Sequence, residues 1–573
     1  MENSQIAKTL SDLAYLLEIK GEGAFRIRSY HSGVRAINDL TTSLELMVQR
    51  GEDLKSIKGI GKSIAGKIVE ILETKTCTAL EDVKKEVPEA LLDMLDLEGL
   101  GPKKVKLIYE EMGIDSIDKL EEAAKEGKLR DLPGMGAKTE ERVLASIEHF
   151  RSGVGRFRLD AGATIGEDIA AYMRELDGIE KLELAGSLRR RRETVGDLDV
   201  LVSCKDHQSV MDHFVAYPEV KQILAHGDTK SSVRLENGLQ VDCRVVDSDS
   251  FGAALHYFTG SMSHNVAMRQ LGMERNVHIN EYGVYERDSG NRIGGADEKD
   301  VFQALGLEWV SPELRENRGE IGAAENGSLP ELIEVDHIKG DLHMHTTATD
   351  GKHSILEMAE ACKAKGYKYH AISDHSKAVT VANGLDEGML AEHLEEIEKA
   401  NDQIKGIEIL KSIEVDIMPD GTLDLEDAIL SECDLVIASV HFQQKMPPDE
   451  MTDRILRAID NPSVNVIAHP TGRLILRREP FSFDAEKVFT AARDAGVCLE
   501  INAHPSRLDL KDTHCILARE LGVKIIINTD AHRIEQLDLM RYGVWTARRG
   551  WLQKKHVVNT KGLAAFKKAI ARN

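Results

Sequence analysis

The chain has no C-x-x-C pair among its seven cysteines. That argues against a cysteine zinc site and against a disulfide framework, so free, buried thiols are expected. No apolar run approaches the roughly 20 residues a membrane helix needs. The opening, MENSQIAKTL, has no basic stretch leading into an apolar one, the mark of a secretory signal. A cytoplasmic chain with no membrane partner is expected. Positive charge is also in short supply: 74 Lys and Arg against 97 Asp and Glu leave a net charge of −23. Taken alone, this speaks against a nucleic-acid partner, because phosphate binding wants Lys and Arg. The average hides clusters. Lys55, Lys58, Lys62 and Lys67 lie close together, as do Lys103, Lys104 and Lys106, and Arg189 to Arg192 run unbroken. Basic surface is therefore expected in the first half.

What is present is ordinary globular composition, 42% hydrophobic and 30% charged. At 573 residues the chain is too long for one core, which predicts three or more domains. Up to about residue 150 it reads as short amphipathic helices with glycine-rich turns. Three segments resemble one another: IKGIGKSIAGKIVEIL (57–72), LEGLGPKKVKLIY (97–109) and LPGMGAKTEERVL (132–144). Each is hydrophobic-x-Gly-hydrophobic-Gly ahead of a Lys-bearing helix, the pattern of a helix-hairpin-helix DNA-binding motif. Two glycines allow a tight hairpin and bring backbone N–H groups up to a phosphate. Gly59, Gly61, Gly99, Gly101 and Lys103 are the DNA-binding candidates.

From about 160 to 250 the pattern turns to strands, and GDLDVLV places Asp197 and Asp199 two apart. Such residues share one face of a strand, so both carboxylates converge. VDCRVV adds Asp242 from a second strand, with Arg244 on the same face. Three carboxylates together repel unless cations lie between them, which implies Mg²⁺ or Mn²⁺. Two such ions suit activation of a 3′-hydroxyl and stabilisation of pyrophosphate. Upstream, AGSLRR supplies a turn whose N–H groups, Ser187 hydroxyl and guanidinium suit a triphosphate.

With these residues in view, 160–310 resembles the family X DNA polymerases, the DNA polymerase beta group. The resemblance is carried by Gly186-Ser187, Arg190, Gly196-Asp197-x-Asp199, Lys230, Asp242, Arg244, YFTGS (257–261), Asn265, Arg269 and INEY (279–282). It implies that Asp197 and Asp199 bind both metals and Asp242 the catalytic one. Ser187 and Arg190 would hold the triphosphate, and Tyr257, Phe258 and Gly260 would line the sugar pocket. Asn265 would meet the base edge, Arg269 the template strand and Lys230 a DNA phosphate. The first domain resembles the lyase domain of the same family. Lys67 falls at the Schiff-base position and Tyr30 at a nearby aromatic one, although Lys67 equally suits a phosphate-binding role.

After a Gly-, Glu- and Asn-rich stretch (317–336) that reads as a linker, apolar runs alternate with helical ones. The runs are GDLHMH, YHAISDH, EILKSIEVD, DLVIASVH, NVIAHP, VCLEINAH and KIIINTDAH, each with His or Asp at or next to its end. Alternating β and α with buried parallel strands predicts a barrel or a doubly wound sheet. Polar residues at strand C-termini mark the active face of a (β/α) barrel. This half resembles the PHP domain, a seven-stranded (β/α) barrel holding up to three metal ions. The matching residues are His343, His345, Asp350, His375, Glu414, His441, His469, Asp530 and His532. Imidazole and carboxylate suit Zn²⁺, Mn²⁺ or Fe²⁺, and clustered ions suit phosphodiester hydrolysis. By analogy, one ion would take His343, His345, Glu414 and Asp530. A second would take Glu414, His441 and His469, and a third Asp350, His375 and His532. His353 competes with Asp350 for the third; Asp350 holds the family position. Arg473, Arg477 and Arg478 suit either a DNA phosphate or a solvated loop.

The expected fold is multidomain α/β: a helical helix-hairpin-helix region, a nucleotidyltransferase palm and thumb, and a distorted (β/α)7 PHP barrel. The expected bounds are 1–85, lyase-like; 86–155, helix-hairpin-helix; 156–246, palm; 247–318, thumb; 319–336, linker; 337–573, PHP domain. The resemblance implies a monomeric repair polymerase filling short gaps with dNTPs on gapped or primer-template DNA. Its PHP domain would act as a 3′→5′ exonuclease, with AP endonuclease or 3′-phosphodiesterase activity. The alternatives are a small-molecule phosphatase in the PHP domain, or a DNA-binding scaffold with inactive sites.

Overall fold

The computed structural model describes residues 3–40, 44–95, 97, 99–151 and 155–572. Glu98, inside the second glycine hairpin, therefore lies outside the described residues. The chain forms two compact units, residues 1–155 and 156–573.

The first unit is helical. Helices α1 (Asn3–Lys20), α2 (Ala24–Asp39), α3 (Lys62–Thr74), α4 (Pro102–Met112) and α5 (Ala137–Arg151) are its longest elements. Leu10 and Leu13 of α1, Ile64 and Ile68 of α3, Val105 and Ile108 of α4, and Val143 and Ile147 of α5 belong to one buried cluster. The boundary expected at 85/86 does not divide this core, because α1 packs on both α2 and α4. The three glycine segments fold alike. Gly59, Gly99 and Gly134 take φ of +104°, +80° and +76°, where a Cβ would be strained. One residue later, the N–H groups of Ile60, Leu100 and Met135 donate to the carbonyls of Ile57, Leu97 and Leu132. Gly61 and Gly101, in extended conformation, then cap α3 and α4.

The second unit begins with a five-stranded sheet of β1 (Ile179–Leu184), β2 (Asp197–Cys204), β3 (Val220–His226), β4 (Lys230–Leu235) and β5 (Gln240–Val246). The spatial order is β1-β2-β5-β4-β3, with β2 and β5 parallel and the other pairs antiparallel. Strand β2 alternates acidic and apolar residues at its start and is buried beyond, so its leading end meets solvent. Helices α6 (Phe251–Thr259) and α7 (Met262–Glu274) and a three-stranded antiparallel sheet follow.

The seven apolar runs of the second half form seven parallel strands in sequence order: β6 (Gly340–Asp341), β7 (Tyr369–Ile372), β8 (Glu408–Asp416), β9 (Leu435–Ser439), β10 (Val466–Ile467), β11 (Cys498–Asn502) and β12 (Ile525–Asn528). Near-continuous apolar sequence is what parallel strands buried on both faces require. The ring nearly closes. The Leu342 N–H donates to Asn528 Oδ1 at 3.0 Å, and the His345 N–H to the Ala531 carbonyl at 2.8 Å.

The expected linker joins the two parts but is not loose. Glu320 is fully buried and accepts from the N–H groups of Asn317 and Arg318 at 2.8 and 2.7 Å, with His264 Nδ1 at 2.7 Å. Leu332 enters the core beside the three-stranded sheet, and Ile333 enters the barrel core. Composition weighed the Gly, Glu and Asn and passed over these apolar anchors.

Within the polymerase-like part, Glu298 gathers two arginines. Arg315, fully buried, pairs with Glu298 Oε1 at 2.7 Å, and Glu298 also takes Arg189 Nη2 at 2.9 Å and the Trp309 indole N–H at 2.9 Å. Glu298→Ala leaves a buried guanidinium unpaired, so a loss of about 3–5 kcal/mol is expected. All three tryptophans (Trp309, Trp545, Trp551) lie in the second unit. Urea unfolding followed by tryptophan fluorescence isolates that unit; a loss under about 1 kcal/mol contradicts this role.

Candidate active sites

In the five-stranded sheet, Asp199 of β2 lies directly across from Asp242 of β5, and Asp197 follows at the solvent end. Gly186 opens the turn opposite them with φ +63°. A Cβ there would stand 2.5 Å from Asp199 Oδ2, so glycine is what lets this turn approach the carboxylate. Ser187 Oγ is buried without a hydrogen-bond partner. Burial raises the Asp199 carboxyl to about 7, reinforced by Asp197 and Asp242; burial and Asp242 also raise Asp197. A carboxylate trio this crowded takes a cation. The chain itself supplies one, since Lys230 Nζ lies 2.6 Å from Asp242 Oδ2. Lys230, expected at a DNA phosphate, thus faces the aspartates, because β4 neighbours β5 and its first residue pairs with Arg244.

Around this centre, the Phe258 ring stacks under the Arg244 guanidinium at 4.4 Å, and the Tyr257 carbonyl accepts from Asn265 Nδ2 at 2.7 Å. Asn265 Oδ1 has no partner. Gly260, at φ +70°, would put a Cβ 3.1 Å from Arg190 Nη1. Arg269 is exposed on α7, and Gly196 is exposed at the head of β2. The run Arg189–Arg192, expected as basic surface, is largely drawn inward. Arg189 pairs with Glu298, Arg190 Nε with Glu316 Oε1 at 3.2 Å, and Arg191 lies 3.9 Å over the Trp545 ring. Carboxylates and an aromatic face from sequence-distant segments supply the partners that sequence alone does not reveal.

In the barrel, the strand ends converge. His343, His345 and Asp530 present ligand atoms within 4.8 Å of one another; so do His375, Glu414 and His441, and so do His345, Asp350, His375 and His532. His345 therefore belongs to two groups and His375 to a group with Glu414, a more shared arrangement than the three expected sets. His469 Nε2 lies 3.0 Å from Glu414 Oε1. His353 stands apart, its Nδ1 taking the Ile534 N–H at 3.4 Å. Burial raises the Glu414 carboxyl, but His343, His441 and His375 outweigh it and hold Glu414 well below the usual carboxylate range. Asp530 is likewise held low against burial by His343, His345 and His532. Burial, with His532 and His375 alongside, lowers His345 to about 4.

Several donors face inward unused. His343 Nε2, His345 Nδ1, His469 Nδ1, Asp350 Oδ1 and Glu414 Oε2 are buried without hydrogen-bond partners. His375 Nδ1 lies 2.8 Å from Glu414 Oε2 without hydrogen-bond alignment. Imidazoles and carboxylates so placed fit divalent ions.

Residues outside the expected ligand sets hold these ligands. Glu500 Oε1 accepts from His343 Nδ1 at 2.8 Å, Asp416 Oδ2 lies 3.1 Å from His441 Nδ1, and Asn502 Nδ2 donates to Asp530 Oδ2 at 3.0 Å. The signal was present: Glu500 is a lone charge inside the apolar VCLEIN, and Asp416 shares a strand face with Glu414. Arg473, one candidate for a DNA phosphate, is buried, donating to the Arg507 carbonyl at 2.8 Å and pairing with Glu193 at 2.8 Å.

The chain matches the DNA polymerase beta thumb over residues 254–316, a helix-hairpin-helix domain over 1–77, a SAM-like helix-hairpin-helix tandem over 91–148 and the PHP domain over 341–504. It is 40% identical over 575 residues to the DNA polymerase/3′-5′ exonuclease PolX of Bacillus subtilis, covering all of both chains. The chain belongs to the PolX family, family X DNA polymerases carrying a PHP domain. Its likeness to rat DNA polymerase lambda is 25% over 345 residues, 55% of this chain and 56% of that one. A Thermoanaerobacter protein named a probable phosphatase is 34% identical over 203 residues, 34% of this PolX chain and 78% of its own.

Two predictions follow from the electrostatics of this PolX chain. Glu500→Gln removes the carboxylate behind His343 and should weaken barrel metal affinity by about 10- to 100-fold, read by metal competition with a chelator; unchanged affinity contradicts the role of Glu500. In the sheet site, a proton leaves Asp199 when a cation binds. Its raised value places the loss near pH 7, so Mn²⁺ affinity there should climb about tenfold per unit up to pH 7 and then level off. Titration of a His343→Ala/Asp350→Ala/Glu414→Ala variant, in which each barrel group has lost a ligand, checks this; a flat profile from pH 5.5 to 7 contradicts it.

Proposed function

We propose that this chain fills short gaps in DNA during base excision repair, and that its barrel removes nucleotides from 3′ ends. The observation that carries the reading is the Asp197, Asp199 and Asp242 trio facing the Gly186-Ser187 turn, in a chain that also carries the histidine barrel. When bound, divalent ions (Mg²⁺ or Mn²⁺ in the sheet; up to three Zn²⁺, Mn²⁺ or Fe²⁺ in the barrel) supply Lewis acidity toward phosphate oxygens and lower the pKa of an attacking hydroxyl or water.

The chain's own residues do the rest. Asp199 gives up its proton and Lys230 swings off Asp242, freeing three carboxylates to align the primer end. The unpartnered Ser187 hydroxyl and the Arg190 guanidinium bind the triphosphate, and Gly186 keeps that turn close to Asp199. Gly196 leaves the mouth of β2 open. Tyr257, Phe258 and Gly260 form the sugar wall, with Arg244 stiffening Phe258 from beneath. Asn265 offers its free Oδ1 toward a base edge, and Arg269 is exposed for the template strand. The repeated hairpins at Gly59, Gly61, Gly99 and Gly101, with Lys103 beside them, grip DNA phosphates. Lys67, 5.9 Å from the Tyr30 ring, suits the same grip or a Schiff base with an abasic sugar.

In the barrel, His343, His345, Glu414 and Asp530 would hold one ion, and Glu414, His441 and His469 a second. Asp350, His375 and His532 complete the third. The same site suits abasic-site cleavage or removal of blocked 3′ ends. A small-molecule phosphatase reading is weaker, since relatives so named cover only 34% of this chain.

On a one-nucleotide gapped duplex, Asp242→Ala should lose incorporation by about a hundredfold or more while still degrading a labelled 3′ end. His343→Ala should show the reverse pattern. Incorporation that survives Asp242→Ala, or 3′ degradation that survives His343→Ala, sinks the corresponding half of the proposal.

A further inference from the structure

Arg549 closes the helix Met540–Arg549, which belongs to the barrel half of the chain, yet its guanidinium reaches the nucleotide turn of the five-stranded sheet. It is 5% exposed. Its Nη1 donates to the Arg190 carbonyl at 2.7 Å and to Glu316 Oε1 at 3.0 Å, and its Nη2 to Asp512 Oδ2 at 2.6 Å. Glu316 Oε1 also accepts from Arg190 Nε at 3.2 Å, with Arg192 Nη1 3.9 Å away. Asp512 takes Arg318 Nη1 at 3.0 Å. Four guanidinia thus share two carboxylates at a largely buried seam.

We propose that Arg549 is a positioning residue for nucleotide incorporation, setting the place and free charge of Arg190. This rests on the reading of Arg190 as a triphosphate contact. Two effects act through one side chain. The bond to the Arg190 carbonyl fixes the backbone of the turn that carries Ser187 and Arg190. The bond to Glu316 divides that carboxylate between two arginines, so Arg190 is not fully neutralised and keeps charge for a polyanion. Without Arg549, Glu316 is left to Arg190 and Arg192 and pairs more fully with Arg190, drawing it back from the site. No residue of the barrel ligand groups takes part, so hydrolysis at 3′ ends stays outside this route.

The experiment is steady-state single-nucleotide incorporation by the full chain on gapped DNA. Arg549→Met should raise KM for dNTP about tenfold with kcat changed less than about threefold, and Arg549→Lys should recover part of the loss by restoring the charge. Asp512→Asn loosens Arg549 without touching the nucleotide turn and should shift KM the same way by a smaller factor; it carries the test if Arg549→Met fails to fold by tryptophan fluorescence. Nuclease rates on a labelled 3′ end should be unchanged in both. Arg190→Ala separates the two layers. An unchanged KM in Arg190→Ala overturns the triphosphate reading. A raised KM in Arg190→Ala with unchanged KM in folded Arg549→Met, or in Asp512→Asn where that stands in, overturns the proposal. An equal fall in nuclease rate also overturns it, since that marks general damage rather than positioning.

Discussion

Carboxylates crowded at the ends of buried strands are the constraint on which the rest of this molecule depends. Like charges a few ångströms apart in low dielectric repel strongly, so each cluster persists only with cations or proton donors among them. The two halves answer this differently. In the five-stranded sheet burial and repulsion within the trio outweigh Arg244 and Lys230, so Asp199 holds a proton up to about 7, and Lys230 leans into Asp242. In the barrel, histidines surround Glu414 and Asp530 and hold both carboxyls low. One site is acid-heavy and hard, suited to oxygen-loving ions; the other mixes imidazole and carboxylate, suited to transition metals. The difference in ligand type thus follows from which residue types stand at the strand termini.

A second consequence concerns how the sheet and the barrel are fastened. Their seam is not an apolar face alone. Ile475, Leu508 and Tyr542, all from the barrel half, lie in the hydrophobic core of the five-stranded sheet. Around them stand ion pairs: Arg473 with Glu193, Arg548 with Glu313, and Arg549 with Glu316. Such pairs add little net stability, because desolvation offsets attraction. They do penalise any misplacement that leaves one partner unpaired. The apolar contacts hold the parts together, and the arginines fix their register.

Much of this was legible in the sequence, for identifiable reasons. The seven strands were visible because buried parallel strands are apolar throughout and each ended in a ligand-type residue. Asp197 and Asp199 were visible because strand alternation fixes their faces. The three hairpins were visible because only glycine suits a φ near +80°, which forces the same spelling each time. What stayed hidden was pairing across sequence distance. The run Arg189–Arg192 spelled a basic surface, but Glu298, Glu316 and Trp545 come from segments more than a hundred residues on. Arg473 was hidden for the same reason, its partner Glu193 lying in the other part of the unit. Segment 317–336 misled because a few apolar anchors decide whether a polar stretch is tethered, and composition averages them away. Glu500 and Asp416 escaped because a residue that orients a ligand has no spacing rule of its own.

The Arg473–Glu193 pair shows how closely the two sites share a frame. Glu193 precedes Asp197 by four residues, and Arg473 follows His469 by four. A 2.8 Å contact therefore joins the segment leading into the carboxylate trio to the loop leaving the histidine centre. Arg473 also grips the carbonyls of Arg507 and Leu508, and the Leu508 side chain lies in the sheet core. The loop that follows Asn502 is thus held by the sheet and by the barrel at once. A shift of either part moves backbone on both sides of the seam, because packed interiors transmit strain instead of absorbing it. In this chain the relation between the sheet and the barrel is set by side-chain pairing at the seam.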